Sequence, residues 1–171
     1  MELWDAYDRN ENRTGATLVR GQPIPDGAYH LVCEVLVRHV DGSYLCMRRA
    51  AEKQSYPGYY EATAGGSALR GEDARQCIRR ELREETGVNS DTFEEIGRFV
   101  YDDEHCIFHC YMCCVDVDKQ AITLQPGETE DFVWMPEDAF REFVRSDAMI
   151  PTQKQRYRAY FERMGYATER G

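Results

Sequence analysis

The chain contains no run of about 18 apolar residues, the length a membrane-spanning helix requires, so no segment is expected to cross a bilayer. Its first residues, Met1-Glu2-Leu3-Trp4-Asp5, carry neither a basic stretch nor an apolar one, so no secretory leader is expected there. Positive charge is in deficit: 21 Lys and Arg stand against 31 Asp and Glu, a formal net charge of −10. Broad binding to nucleic acid depends on neutralising phosphates with Lys and Arg, so nucleic acid is not the expected partner. A small phosphorylated ligand stays open, because a bound metal offsets local acid. Repeats and low-complexity stretches are absent as well. The seven cysteines are odd in number, which argues against a complete disulfide framework. Without a leader they read as reduced thiols in a cytoplasmic protein.

What is present suits one soluble globular domain. The 171 residues are 42% hydrophobic and 30% charged, enough for a real core. The single domain is expected to span residues 1–171, with an N-terminal hairpin extension over 1–25 and a C-terminal helix over 150–171. In the hairpin, Leu3 to Tyr7 and Thr14 to Val19 flank the polar turn from Asp8 to Asn12. The Asp8, Asn10, Asn12 spacing is like the start of a calcium loop, but Arg13 stands where that loop needs glycine. A plain turn is expected. Leu3, Trp4 and Tyr7 are free to pack on this chain or on a partner, and a homodimer is one expected assembly. Residues 29–38 are β-rich and apolar, and Asp41-Gly42 marks a hairpin turn before a return strand at 44–49. Further strands are expected at 59–64, 92–101, 106–115, 121–124 and 131–135. Helices are expected at 73–86, from Pro136 to about Arg145, and from Pro151 onward. Strands on both sides of a helix, then helices at the end, indicate an α/β fold with a mixed sheet between helices.

The chemistry is concentrated between Gly66 and Val88. Gly66 is followed after five residues by Glu72, and after seven more by Arg80-Glu81-Leu82-Arg83-Glu84-Glu85-Thr86-Gly87-Val88. Glu81, Glu84 and Glu85 fall at i, i+3 and i+4, on one helix face. Three carboxylates there repel one another unless a cation lies between them. Oxygen-only ligands of this kind suit Mg²⁺ or Mn²⁺ rather than zinc. Glu72 stands near the helix start and can turn to the same site, and the Gly65 carbonyl offers a further hard ligand. Arg80, one turn from Glu84, is placed to pair with Glu84 or Glu72. Leu82 points into the core, Gly65-Gly66 reads as a loop, and Gly87 ends the helix. A solvated acidic face accounts for Glu84 and Glu85 taken alone, but not for nine specified positions together.

This spacing resembles the Nudix signature, Gly-x5-Glu-x7-Arg-Glu-aliphatic-x-Glu-Glu-x-Gly-aliphatic, without departure. The stretch from Tyr29 to about Phe143 resembles a whole Nudix domain, an α/β/α sandwich. The resemblance implies a hydrolase of a nucleoside diphosphate derivative or related organic diphosphate. Glu81, Glu84 and Glu85 would hold the metal, with Arg80 orienting them and Glu72 as a supporting acid. Many members take one more glutamate from a later loop. Glu128 and Glu130 are the candidates here, and Glu128 is preferred. Either Glu128 or Glu85 would take the proton of the attacking water.

Within the family, the nearest likeness is to the isopentenyl-diphosphate isomerase branch and its hydrolase-like relatives. It rests on the hairpin ending in Thr14-Gly15 and on Tyr29-His30-Leu31, Arg48-Arg49-Ala50, Tyr56-Pro57-Gly58 and Ala62-Thr63-Ala64-Gly65-Gly66. Arg49 and Lys53 match positions that hold the diphosphate in the isomerases. The isomerase cysteine and histidine are replaced by Gly65 and Ser67, neither of which can act as a thiol acid or an imidazole ligand. Isomerase activity is therefore a weaker alternative, and a non-catalytic binding module is another, because such a module would usually show a damaged box and this one is complete. A DNA-binding regulator would need an added helix-turn-helix segment. A zinc site built from Cys106, Cys110, Cys113 and Cys114 with His105 and His109 is opposed by strand periodicity, which divides them between two faces.

Overall fold

The computed structural model describes residues 1–166. Nine strands and four helices run in the order β1 (Leu3–Tyr7), β2 (Arg13–Val19), β3 (His30–His39), β4 (Tyr44–Arg49), β5 (Tyr60–Glu61), β6 (Thr63–Ser67), α1 (Ala74–Thr86), β7 (Glu94–Tyr101), β8 (Cys106–Val115), β9 (Thr129–Met135), α2 (Glu137–Arg145), α3 (Pro151–Arg156) and α4 (Arg158–Arg163). β1 and β2 form a separate two-stranded sheet; the other seven strands form one sheet, β5-β4-β3-β8-β7, with β6 also on β3 and β9 also on β4.

β3 and β8 run parallel along their whole lengths, from His30 opposite Cys106 to His39 opposite Val115. The other named pairings are antiparallel, so the sheet is mixed. A strand buried on both faces loses the usual apolar–polar alternation, which explains the apolar run in β3. Cys33, Val35 and Val37 enter one core layer with Ile78 and Leu82 of α1. Leu36 enters the opposite layer with Phe140 of α2, Phe161 of α4 and Tyr157 between α3 and α4. Helices thus cover both faces, as expected. β8 divides in the same way, with Ile107, Tyr111 and Cys113 in the first layer and Phe108, Cys110 and Met112 in the second. Its Cys106, Cys110 and Cys113 are free and buried, and only Cys114 of the seven is exposed.

The terminal parts are more divided than expected. The expected C-terminal helix is two short helices, α3 and α4, and residues 167–171 of its expected range lie outside the described residues. The strand expected at 121–124 does not form. Ile122 and Leu124 instead pack on the first core layer, and the Thr123 N–H donates to Thr86 O at the end of α1. The apolar alternation there records burial against a helix end, not pairing. The hairpin turn is a plain one, with Asp8 accepting from the backbone N–H of Asn10 and Asn12. Trp4, Ala6 and Leu18 form a small core within the chain, and Trp4 stacks on His30 with ring centroids 4.1 Å apart. No helix among the described residues is long and apolar enough to cross a membrane.

Candidate active site

α1 carries the three box carboxylates, and its own sequence fixes its ends. Asp73 caps the N-terminus in a reciprocal capping box with Gln76. Gly87 closes the C-terminus in the left-handed conformation, φ 76°, its N–H bonded to Arg83 O. Ile78 and Leu82 are fully buried against the sheet, each contributing roughly 1.5–3 kcal/mol to holding the helix in place.

Arg80 organises the carboxylates. Its guanidinium donates to Glu72 at 2.7 and 2.9 Å, to Glu81 at 2.6 Å, to Glu84 at 3.1 Å and to the Ser67 carbonyl at 3.1 Å. It therefore pairs with both expected partners and with Glu81 as well. Burial works to raise the Glu72 carboxyl, but Arg80 and the Leu69 N–H outweigh it and hold it below its ordinary value. Glu72 is thus the anchor of Arg80; it does not line the cavity described next.

A cavity of about 270 Å³ opens on the helix face, lined among others by Gly65, Lys53, Glu81, Glu84, Glu85 and Glu128. A smaller pocket continues past Glu85 and Glu128 to Arg49 and Glu61. Each expected site residue except Glu72 lines one of these two spaces. Glu128 is brought there by the connection from β8 to β9, which packs on the end of α1 through the Thr123 N–H bond to Thr86 O, and its carboxylate pairs with Lys53. Glu130 points elsewhere, to Arg48 at 3.2 Å. Tyr59 is exposed beside Tyr56 and Tyr101 packs edge-on to Phe108, so neither aromatic ring borders the site.

Glu61 is the acid that sequence reading missed. It accepts from Arg49 at 2.7 Å and from Gln153 of α3 at 2.9 Å. Gln153 also donates to Thr63 and accepts from the Ala62 N–H, so α3 fixes the strand edge below the site. Glu61, Thr63 and Gly65 alternate along β5 and β6, and that period of two was the available signal. Burial, then the charge of Glu61, pushes the Glu85 carboxyl well above its ordinary value; the Gly65 N–H, donating at 2.9 Å, only partly opposes this. Burial likewise raises Glu81 against the pull of Arg80.

Gly65 and Gly66 are not a loop: both lie in β6, paired with Glu34 and Cys33 of β3. Glycine is needed there for close approach. A Cβ on Gly65 would meet the Cys33 carbonyl oxygen at 2.1 Å and Glu34 Cα at 2.7 Å, whereas one on Gly66 would meet the Glu81 carboxylate at 2.6 Å. The two alanine variants should therefore separate. Gly65→Ala forces backbone apart and should lower unfolding free energy by about 1–3 kcal/mol in urea titration. Gly66→Ala displaces only a side-chain end, so it should cost much less stability while lowering turnover.

Among the described residues, no three His, Cys, Asp or Glu side chains are already gathered as a metal-holding group. Glu81 and Glu84 face Arg80 instead. The donor set still fits a hard divalent ion: the cavity offers carboxylates and backbone oxygen, and no thiol lines it.

The NUDIX domain profile matches residues 28–160. The chain belongs to the Nudix family. A Nudix hydrolase of Listeria monocytogenes is 32% identical over 151 residues, 88% of this chain and 89% of that one. A Nudix hydrolase of Yersinia pestis is 35% identical over 140 residues, 81% of this chain and 75% of its own. Among solved structures, a Deinococcus radiodurans protein superposes with TM-score 0.71 at 19% identity, covering 93% of this chain and 99% of that one, which is a likeness of fold. The Nudix relatives make this chain a hydrolase acting on diphosphate bonds, a class that generally uses divalent metal ions.

Proposed function

We propose that this Nudix chain hydrolyses a nucleoside diphosphate derivative or related small organic diphosphate, with Mg²⁺ or Mn²⁺ bound by Glu81, Glu84, Glu85 and the Gly65 carbonyl. The observation that carries the reading is the single cavity in which Glu81, Glu84 and Glu85 meet Glu128 and Lys53. A divalent ion there supplies Lewis acidity and neutralises charge on the diphosphate.

The chain's own groups do the rest. Arg80 keeps Glu81 and Glu84 on the cavity side of the helix while Glu72 anchors it from behind. Arg49 and Lys53 bind diphosphate oxygens, the first as a fork and the second as a point charge. An incoming diphosphate competes with Glu128 for Lys53 and releases that carboxylate. Glu128, which lines the same cavity, then takes the proton of the attacking water; Glu85 remains a ligand. The proposal includes a cytoplasmic setting, supported by the free cysteines, and a homodimer, which sedimentation would test.

The deciding experiment is a hydrolysis panel of nucleoside triphosphates, dinucleoside polyphosphates, sugar nucleotides, coenzyme A and prenyl diphosphates with Mg²⁺ or Mn²⁺. Turnover of at least one compound is expected, lost on chelation. Glu128→Gln should lower kcat by roughly 10²–10⁴ with folding intact. Full turnover in chelator, or an unimpaired Glu128→Gln enzyme, would refute this assignment.

A further inference from the structure

The catalytic cavity has a wall that the family profile does not include. The matched domain begins at residue 28, yet Glu2 and Arg20, at the open end of the β1–β2 hairpin, line the same cavity as Glu81, Glu84 and Glu85. The hairpin is docked on the turn that leads into α1. The Arg70 N–H donates to Leu3 O at 2.8 Å, the Gly71 N–H to Asp5 at 2.9 Å, and Arg13 to Glu72 O at 2.8 Å.

Arg20 is held in a defined place. Its Nη1 donates to Glu2 Oε2 at 2.9 Å, and its backbone N–H donates to Glu2 O. The other Glu2 oxygen accepts from Trp4 Nε1 at 2.8 Å, and Trp4 is itself stacked on His30. Among the described residues, three cations line the cavity. Arg80 is engaged by Glu72, Glu81 and Glu84, and Lys53 by Glu128. Arg20 donates from its side chain only to Glu2 among the described residues, and that side chain is 65% exposed. Nε and Nη2 of its fork are thus unclaimed, in a geometry that suits two phosphate oxygens.

We propose that Arg20 is a substrate-binding residue that receives a phosphoryl group beyond the diphosphate held by Lys53. The substrate class is then a chain of at least three phosphoryl groups, as in a nucleoside triphosphate. A diphosphate diester, capped at both ends by neutral groups, gives Arg20 nothing to bind. This assignment rests on the diphosphate-hydrolase reading of the same cavity.

Calorimetric titration tests it without turnover. Methylene-bridged analogues of inorganic diphosphate and triphosphate, which resist hydrolysis, are titrated with Mg²⁺ into the whole chain. The triphosphate analogue should bind the parent at least tenfold more tightly, about 1.4 kcal/mol. Arg20→Ala should erase that difference while leaving diphosphate affinity within about twofold. Arg20→Lys should restore part of it. Arg9→Ala, at the far tip of the hairpin where Arg9 pairs with Asp102, should keep the full difference and so controls for overall charge. Equal affinities in the parent, an undiminished difference in Arg20→Ala, or the same loss in Arg9→Ala would overturn the assignment. A chain that hydrolyses nothing yet shows the Arg20-dependent difference would refute the hydrolase reading and leave the subsite standing.

Discussion

Glu85→Gln should abolish hydrolysis and, in the same protein, raise the melting temperature of the metal-free form. Both effects come from one placement. The Glu85 carboxyl is pushed well above its ordinary 4.5, first by burial and then by the charge of Glu61, with Glu81 and Glu128 adding to it. A carboxyl whose folded value lies above its unfolded value costs stability when ionised. The cost is absent below about pH 4.5, grows as pH rises through the shifted range, and is fully present above it. Glutamine keeps an oxygen for the Gly65 N–H and carries no charge, so the penalty disappears. It also removes a proposed metal ligand, and turnover should fall by orders of magnitude. Parent protein should regain stability on adding Mg²⁺, by about 2.7 kcal/mol at a hundred times the dissociation constant; the variant should regain far less. Calorimetry at neutral pH with and without Mg²⁺, beside a turnover assay, reads both. A variant that melts lower than the parent without metal, or that keeps its turnover, contradicts the account.

Arg156→Met should destabilise the fold more than any surface substitution, because it strands a charge. Arg156 and Glu34 form a bidentate pair at 2.6 and 2.9 Å, with side chains only 9% and 7% exposed. The guanidinium lies over the Phe108 ring, 4.2 Å from its centroid. Removing one member of a buried pair leaves the other uncompensated and costs about 3–5 kcal/mol. For a chain of this size that is a fall in melting temperature of roughly 10 °C. The double variant Glu34→Met with Arg156→Met should recover most of the loss, since two apolar groups replace the pair without a stranded charge. Urea denaturation of the three variants measures both steps. A double variant as unstable as the single one would show that Arg156 contributes by shape and not by pairing.

The legible part of the site is the part encoded locally. Glu81, Glu84 and Glu85 share a face because 3.6 residues make a turn, and Arg80 reaches Glu84 for the same reason. Asp73 and Gly87 announce the helix ends through their own side-chain and backbone preferences. Glu2 and Arg20 could not be read in this way, because they reach the site through a hairpin docked on the turn before α1. Glu61 carried only the period of two it shares with Thr63 and Gly65, and its anchor, Gln153 on α3, is distant in sequence. The strand expected at 121–124 failed for a related reason. Ile122 and Leu124 alternate correctly, but the surface that buries them is the end of a helix. Gly65 and Gly66 suggested a turn because glycine favours turns; their true constraint is the nearness of β3 and Glu81, which no local pattern contains.

That nearness has an evolutionary consequence. The α-carbon of Gly65 is crowded by the backbone of a neighbouring strand. A thiol placed there by a single exchange carries the same cost as Gly65→Ala: the two strands move apart, and the Gly65 N–H that steadies Glu85 moves with them. Any new reactive side chain at this edge of the cavity would therefore bring a change of sheet spacing before it brought a change of chemistry.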